Sequence, residues 1–334
     1  GTGPATPDEG EGQVRRLVSF LLTAGCMFFV ALPGLAQGAP YFSPADQLNE
    51  GRFGAGIASL PDGRVLIAGG EGQGSVLNSA VIYDSLTGTF TPTGSLGTIS
   101  GTAAASVLPS GRVLVTSGTE AEIYDPASGT FSPTGSPLVA RRNVAAAPLP
   151  DGRVLMIGGH IYPNYYDSAE IYDPDTGTFS PTGSMSEPRS AALAVPLPDG
   201  RVLVAGGYFA NASPALASAE IYDPATGTFG PADSMEVARA WAAAAPLPDG
   251  HVLVAGGFDG AVLGSAEIYD PETETFSLTS SMGSSRYGPF AALLPNGRVL
   301  VAGGSIGFGA IAVTELFNTD PEARTTNAEF GNQV

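Results

Sequence analysis

The sequence predicts an all-β protein folded as a six-bladed β-propeller, and a repeat that occurs six times is the first reason. A doublet of small residues recurs at spacings of 48, 41, 48, 50 and 47 residues. A regular period of this length, built from short β patterns, is typical of a propeller in which each repeat supplies one four-stranded blade. The 46 Gly and 28 Pro suit a fold with many tight turns. The doublets are Gly69-Gly70, Ser117-Gly118, Gly158-Gly159, Gly206-Gly207, Gly256-Gly257 and Gly303-Gly304.

Each repeat contains four strand patterns separated by turn sequences. The first strand is rich in alanine, as at 191–195, and suits the crowded innermost position, since Ala otherwise favours strands poorly. After a Leu-Pro-Asp-Gly turn, an unbroken apolar run such as 202–205 predicts a strand buried on both faces. The third strand reads Ala-Glu-Ile-Tyr-Asp. The fourth carries prolines, which remove hydrogen-bond donors from the outer edge and protect it from pairing.

The doublet occurs together with a Tyr-Asp pair and a closing aromatic residue, and this combination resembles the kelch repeat family over residues 41–318. The resemblance implies a propeller of four-stranded blades, here of a secreted bacterial type. Kelch repeats usually close with Trp, where this chain has Phe, and Phe317-Asn318 replaces Tyr-Asp in the last repeat. The pairs are Tyr83-Asp84, Tyr124-Asp125, Tyr172-Asp173, Tyr222-Asp223 and Tyr269-Asp270, and the aromatics are Phe90, Phe131, Phe179, Phe229 and Phe276.

The segment 41–48 is predicted to close the ring. The sixth repeat shows only three strands and ends near Phe317, whereas 41–48 copies the fourth-strand sequence at 228–235. The last blade is therefore expected to take its outer strand from the N-terminal end of the propeller. On this basis the domain spans 37–320, and 321–334 form a C-terminal tail.

Residues 1–36 read as a secretory signal peptide that is cleaved after Ala36. Arg15-Arg16 precedes an apolar run, and small residues follow at the positions that a signal peptidase reads. Two alternatives stay open: an N-terminal membrane anchor, and a lipoprotein signal at Cys26. All three place the propeller outside the cytoplasm, either secreted, periplasmic or at the cell surface, and the mature chain is expected to have no membrane span.

The composition bears on partners and chemistry. A net charge of −18 with no lysine argues against nucleic acid, because binding to nucleic acid needs basic patches. Some proteins of the resembled family are copper oxidases, and the resemblance implies that this chemistry needs a tyrosine modified by a cysteine, together with histidine ligands. The only cysteine here is Cys26, and His160 and His251 are predicted on opposite faces. We therefore expect no metal, no cofactor and no catalytic residue, and copper oxidation is not expected.

Alternation of the strands sorts the loops onto two faces. The Leu-Pro-Asp-Gly and Asp-Pro-x-Thr-Gly turns form a repeat face with nearly identical sequences. The loops after the doublets, and the segments that lead into each first strand, form a variable face, where binding specificity usually resides. Its aromatic-rich loops lie at 160–167, 208–211 and 258–259, although some rings there are expected only to pack the loops. The candidate ligand residues on this face are His160, Tyr162, Tyr165, Tyr166, Tyr208, Trp241 and Tyr287.

A second candidate is a set of arginines placed eight residues before the turn leucine in five repeats; the second repeat has Ser100 there. These residues precede the innermost strands, so their side chains are predicted to ring the mouth of the central channel, where guanidinium groups bind carboxylates. The alternative is that the glutamates of the third strands neutralise them inside the blades. The arginines are Arg52, Arg141, Arg189, Arg239 and Arg286, and the glutamates are Glu122, Glu170, Glu220, Glu267 and Glu315.

These observations favour a monomeric, non-catalytic binding or scaffold module that recognises a glycan or a protein or peptide ligand through its variable face. The alternative is an enzyme that acts on an acidic sugar, as the sialic-acid isomerases of the resembled family do. The ring of arginines and glutamates is the feature that keeps this alternative open.

Overall fold

The computed structural model describes residues 39–98, 101–210, 213–307 and 309–319. In this part of the chain the strands form six antiparallel sheets of four strands each and one two-stranded hairpin, and loops and turns connect them. The all-β, six-bladed prediction is confirmed. The expected signal segment, its cleavage site after Ala36, Cys26, Ser100 and the C-terminal tail lie outside the described residues.

The strands follow the repeat. The first, β1 (Tyr41–Pro44), precedes the repeats, and the variable loop of blade three forms a small hairpin of β12 (His160–Ile161) and β13 (Asn164–Tyr165). The strands of blades one to three are β2 (Gly56–Ser59), β3 (Val65–Ala68), β4 (Ala80–Asp84), β5 (Thr89–Pro92), β6 (Ala104–Val107), β7 (Val113–Ser117), β8 (Glu120–Asp125), β9 (Thr130–Pro133), β10 (Ala145–Pro148), β11 (Val154–Ile157), β12 (His160–Ile161), β13 (Asn164–Tyr165), β14 (Ala169–Asp173) and β15 (Thr178–Pro181).

Blades four to six repeat the same order of four strands, except that blade six has three strands of its own. Their strands are β16 (Leu193–Pro196), β17 (Val202–Ala205), β18 (Ala219–Asp223), β19 (Thr228–Ala232), β20 (Ala243–Pro246), β21 (Val252–Ala255), β22 (Ala266–Asp270), β23 (Thr275–Thr279), β24 (Phe290–Leu293), β25 (Val299–Ala302) and β26 (Thr314–Asn318).

The ring closes as the sequence predicted. Strand β1 pairs antiparallel with β26, from Tyr41 opposite Asn318 to Pro44 opposite Glu315. The Phe42 ring packs against Phe317 at 4.9 Å between centroids. The sixth sheet therefore has the order β1-β26-β25-β24, which joins the two ends of the propeller in one blade.

The first strand of each blade is the innermost. These strands contact one another around the axis and line a narrow central channel of about 200 Å³. Small side chains such as Ala105, Ala146, Ala194 and Ala244 face this channel. Alanine is used here because larger side chains from six converging strands would collide, as the repeated Ala-rich pattern indicated.

The second strands are buried along their whole length, and they form the core between neighbouring blades. In β17 all four residues, Val202 to Ala205, have no exposed surface. Val204 packs with Leu155 and Ile157 of blade three in one apolar cluster, whereas Leu203 packs with Val252 and Val254 of blade five in the next. Successive side chains of the strand thus pack against opposite neighbouring blades. Both faces of the strand are buried, which explains why its sequence is an unbroken apolar run.

In four doublets the first residue is glycine because the backbone of the next blade passes against it. A Cβ at Gly158, Gly206, Gly256 or Gly303 would lie 2.1 to 2.6 Å from the carbonyl oxygen of an arginine in that blade. A Cβ on Gly206 would collide with the carbonyl oxygen of Arg239, and Gly206 also has a φ of +67°. The N–H of Gly207 donates to that same carbonyl at 2.8 Å. The doublet is thus a contact between blades, in which both the space and the backbone conformation require glycine.

A ring of backbone hydrogen bonds surrounds the mouth of the channel on the variable face. After four of the five arginines, the residue two positions later donates its N–H to the carbonyl at the same position of the preceding blade. These bonds run from Ala191 to Asn143, Trp241 to Ala191, Gly288 to Trp241 and Gly54 to Gly288, at 2.8 to 3.0 Å. Ala103 donates to Gly54, and Asn143 donates to the hydroxyl of Thr102. Asn143, Ala191 and Trp241 adopt positive φ values of 51 to 54° in this ring. The sequence pattern did not reveal it.

Within the described residues no helix is present that is long and apolar enough to cross a membrane.

Candidate functional site

The five repeated arginines lie inside the blades and do not line the mouth of the channel. Each is 0 to 1% exposed. The prediction that their guanidinium groups form a ligand-binding ring is therefore corrected, because a buried side chain cannot reach a ligand on the variable face. The alternative that the sequence left open, internal neutralisation, describes the geometry. The residues concerned are Arg52, Arg141, Arg189, Arg239 and Arg286.

Blade three shows what these arginines do. The Arg141 guanidinium donates to the carbonyls of Gly158 and Ser168 at 3.0 and 2.8 Å, and to the Glu170 carboxylate at 2.8 Å. The same carboxylate accepts the backbone N–H groups of Leu138 and Val139. Burial lowers the pKa of Arg141, and the charge of Glu170 partly offsets this effect. One arginine thereby connects the doublet with the third strand of its blade. Through the Glu170 carboxylate it is also connected to the segment 138–139, which precedes the first strand.

Blades one and two each lack one partner. In blade one Val81 replaces the glutamate, so Arg52 bonds to Gly69 and Ser79 while its Nε, in the buried interior, has no partner. In blade two Glu122 accepts N–H groups from Gly97 and Thr98. The pairing is thus a repeated structural device with two incomplete copies, as the sequence indicated.

The variable face also contains a second, variable pair of residues in five of the six blades. The residue directly after the arginine forms a β-bridge with the residue directly after the doublet. In blade three this pair is Arg142 and His160, and in blade five it is Ala240 and Phe258. The remaining pairs are Phe53 with Glu71, Ser190 with Tyr208, and Tyr287 with Ser305. The residues that differ between blades on this face are therefore the one directly after the repeated arginine and the one directly after the doublet, and not the arginine itself.

A cavity lies over blades three to five on this face. It measures about 680 Å³ and is called here the aromatic pocket. It is bounded by the loop 213–215 of blade four, and its volume is in the range of small-molecule sites. The side chains that define it are His160, Tyr162, Tyr165, Tyr208, Trp241, Phe258 and Asp259.

The rings of the pocket pack against one another in a continuous series. His160 stacks on Tyr165 with centroids 5.1 Å apart, and Tyr165 meets Tyr208 edge-on at 5.6 Å. Tyr208 packs on Trp241 at 4.7 Å, and Trp241 meets the Tyr287 ring at 6.2 Å. Rings held by one another lose little entropy when a ligand stacks on them, so this wall of the pocket is preorganised.

The polar groups of the pocket are few. His160 Nδ1 shares a hydrogen bond of 2.8 Å with the Ser190 hydroxyl, which is fully buried. Burial, and secondarily the charge of Arg142, lower the pKa of His160, so the imidazole is neutral at pH 7. Ser190 thus orients the ring and is not accessible as a nucleophile. Asp259 Oδ1 accepts the N–H of Ala261 at 3.1 Å, and its side chain is exposed.

The structure brings together five of the seven aromatic candidates from the sequence, namely those that line the pocket. The other two have different surroundings. Tyr287 lies behind the pocket, between Phe53, Trp241 and Phe258. Tyr166 covers the buried Arg141 guanidinium at 5.1 Å, so it serves the interior of blade three. For Tyr166, loop packing is the role that the geometry supports.

The sequence pattern did not single out Arg142, because only Arg141 beside it recurs in the other repeats. Arg142 is exposed, and its side chain makes no hydrogen bond or ion pair with the described residues. Phe258 and Asp259 belong to a loop that the sequence assigns to the variable face, but neither is among the predicted site residues. A usable pattern was present: the positions directly after the repeated arginine and directly after the doublet are the ones that vary between repeats.

The comparisons with known proteins identify the repeat and the fold. The family model described as Kelch motif matches residues 141–186, 189–236 and 242–283, which are three consecutive repeats. The protein is therefore a six-bladed β-propeller that contains three consecutive kelch motifs. No curated protein matches it. The secreted bacterial type that the sequence suggested is not borne out by these comparisons.

Among solved structures, the chain is similar to a fungal alcohol oxidase of the AA5 family in complex with copper. The TM-score is 0.63 at 16% identity, and the match covers 84% of this chain and 77% of that one. A likeness at this identity concerns the fold alone. Within the described residues no group of three or more His, Cys, Asp or Glu side chains is placed so that it could bind a metal ion. His160 lies on the variable face, and His251 lies on the repeat face beside Asp249.

Proposed function

We propose that the protein is a non-catalytic binding propeller, exported from the cytoplasm, that recognises a glycan or a protein segment through the aromatic pocket on its variable face. The observation that carries the proposal is the pocket itself: preorganised rings around a cavity of about 680 Å³, on the face where the repeats differ. Kelch propellers generally serve as protein-interaction domains, which supports a binding role.

Exposed apolar side chains support the choice of face. Of the nine large apolar side chains that are exposed in the described residues, six lie in loops that follow a doublet. Exposed apolar side chains that cluster on a protein surface often mark a site of interaction. The six are Val76, Ile161, Tyr162, Phe209, Phe258 and Ile306.

Retained backbone strain points to the same place. Trp241 adopts a φ of +51°, a conformation in which blades one and six have Gly54 and Gly288 at the corresponding position. A bulky side chain in this conformation is rare and costs free energy, and such residues concentrate at functional sites. The alternative of an enzyme acting on an acidic sugar has no comparable support, because the arginines on which it rested are buried.

The test is a combined glycan and peptide array, probed with the wild type and with the double variant Tyr162→Ala/Phe258→Ala. Both side chains are exposed, at 73% and 37%, so the fold should tolerate their loss. Losing two stacking contacts is expected to weaken binding about tenfold or more. Leu86→Ala/Leu278→Ala removes two exposed apolar side chains outside the variable face and is the matched control. Equal binding by all three proteins would refute the pocket as the ligand site.

Export is tested separately by intact mass. An intact mass that corresponds to a chain beginning at Gln37 supports a cleaved signal peptide, whereas a mass that includes an acylated Cys26 supports a lipoprotein. An unprocessed chain that remains in the membrane fraction supports an anchor.

A further inference from the structure

The blade-five end of the aromatic pocket combines apolar rings with a carboxylate. Trp241 and Phe258 both contact the Tyr287 ring, at 6.2 and 6.0 Å, so these two pocket residues are neighbours. Asp259 follows Phe258 directly and lines the same cavity. One of its carboxylate oxygens accepts the N–H of Ala261, and the other has no hydrogen bond to the described residues.

The electrostatic setting favours a cation at this end. The chain has a net charge of −18, and no basic side chain lines the pocket apart from His160, whose lowered pKa leaves it neutral. Arg142 lies opposite His160 in blade three, and Phe258 and Asp259 belong to blade five. A cation attracted by Asp259 would therefore sit at the far end of the pocket from the exposed guanidinium.

From this arrangement we infer that the pocket binds an organic cation whose charge is covered by methyl groups, such as a trimethylammonium group, with its charge beside Asp259 and its methyls against Trp241, Phe258 and Tyr208. This inference rests on the proposed function and names its ligand chemistry. Aromatic faces attract a cation electrostatically, and Trp does so most strongly. A methylated ammonium loses less hydration than a bare one, so it can leave water for an apolar wall at a lower cost.

The chain contains a single tryptophan, which makes the pocket directly observable. Because that residue is Trp241, its fluorescence reports occupancy of this site and no other. The experiment titrates the full propeller with choline and, in parallel, with its neutral isostere 3,3-dimethyl-1-butanol. Calorimetry on the same pairs gives a second readout that does not depend on the indole.

Choline is expected to bind about tenfold more tightly than the neutral isostere, since only the charged compound gains cation–π attraction. Asp259→Asn keeps the acceptor for the Ala261 N–H but removes the charge, and it should abolish most of this preference. Phe258→Ala should weaken both compounds. Glu120→Gln and Leu86→Ala are the matched controls. Glu120 is the first residue of β8 and Leu86 is an exposed residue of the repeat face, so both lie outside the pocket and both variants should leave the two affinities unchanged.

Two further probes separate this inference from the proposed function. If methyl glycosides quench Trp241 and choline does not, the pocket is a ligand site but the cation inference is wrong. If glucuronate binds better than choline, Arg142 rather than Asp259 selects the ligand, and the inference is likewise overturned. Equal affinity for choline and its isostere would show simple apolar binding and would also contradict it. Free trimethyllysine, compared with choline, then distinguishes a peptide source of the cation from a choline-bearing one.

Discussion

Arg239 and Glu267 form an ion pair that has no exposed surface at all. The guanidinium donates through Nε and Nη2 to one carboxylate oxygen, at 3.1 and 2.9 Å, and through Nη1 to the carbonyls of Gly256 and Ser265. The other carboxylate oxygen accepts the N–H of Glu236. Every charged atom is thus matched, which is the condition under which burial of two charges is tolerated.

Replacing Arg239 with Met should destabilise the protein strongly. It leaves Glu267 buried without its cation, which typically costs about 3–5 kcal/mol. Arg201→Met is the control, because Arg201 pairs with Asp199 and Glu274 while 34% exposed and should cost less than about 1 kcal/mol. Urea unfolding measures both, and similar losses for the two variants would contradict a structural role specific to the buried pair.

Blade one offers the converse test. Val81 occupies the register position that Glu170, Glu220 and Glu267 hold elsewhere, and Arg52 Nε lacks a partner in the interior. Val81→Glu should therefore change the free energy of unfolding by less than about 1 kcal/mol, although a buried unpaired charge usually costs several times that. Val65→Glu, in the same blade but away from Arg52, should unfold the protein. If Val81→Glu unfolds the protein as Val65→Glu does, Arg52 does not neutralise a glutamate at position 81, and the prediction is wrong.

The Tyr269 hydroxyl should gain stability from a partner. In three other blades the corresponding tyrosine bonds to a threonine of the preceding blade, as Tyr222 does to Thr182 at 2.7 Å. Blade four has Ala232 at that position, and the buried Tyr269 hydroxyl has no partner. Ala232→Thr should therefore add about 1 kcal/mol. Ala232→Val, which has the same shape without the hydroxyl, should add none, and a similar rise in Tm for both would point to packing instead.

Stability should fall at alkaline pH because of the same residue. Burial raises the pKa of Tyr269 from 10.0 to about 12, and burial also raises the pKa of Tyr83. The folded state therefore holds the phenol proton more tightly than the unfolded state. The contribution is complete below pH 10 and is lost as the pH rises through about 12. Unfolding at pH values on either side of this window measures the decline, and Tyr269→Phe should reduce it; an unchanged decline in that variant would assign it to other groups.

The closing strand should act in trans. A chain that lacks residues 41–48 exposes the edge of β26 and loses the Phe42–Phe317 contact, so its Tm should drop. A synthetic peptide of residues 39–49 should restore the Tm in a concentration-dependent way, because binding to the native state alone stabilises it. A peptide with the same composition in scrambled order is the control. Rescue by both peptides would rule out pairing in the observed register.

The repeat made much of the fold predictable. The number of blades, the turns, the buried second strands and closure by Tyr41–Pro44 all follow from local patterns, since the strand period and turn chemistry are properties of short segments. The sequence also supplied both interpretations of the arginines, with Glu170 and its counterparts as internal partners. It could not choose between them, because the depth of a side chain in a blade depends on how neighbouring blades pack.

The sequence by itself therefore determined the architecture and the face that varies, whereas the tertiary structure alone decided which side chains of that face meet. Tyr208 and Trp241 lie far apart in the repeat pattern, yet their rings are 4.7 Å apart because adjacent blades converge on the axis. The positive φ of Trp241 arises from a hydrogen-bonded ring through all six blades, which no single repeat encodes. Contacts between repeats depend on the closure of the whole ring, and for that reason the pocket became visible only in the folded chain.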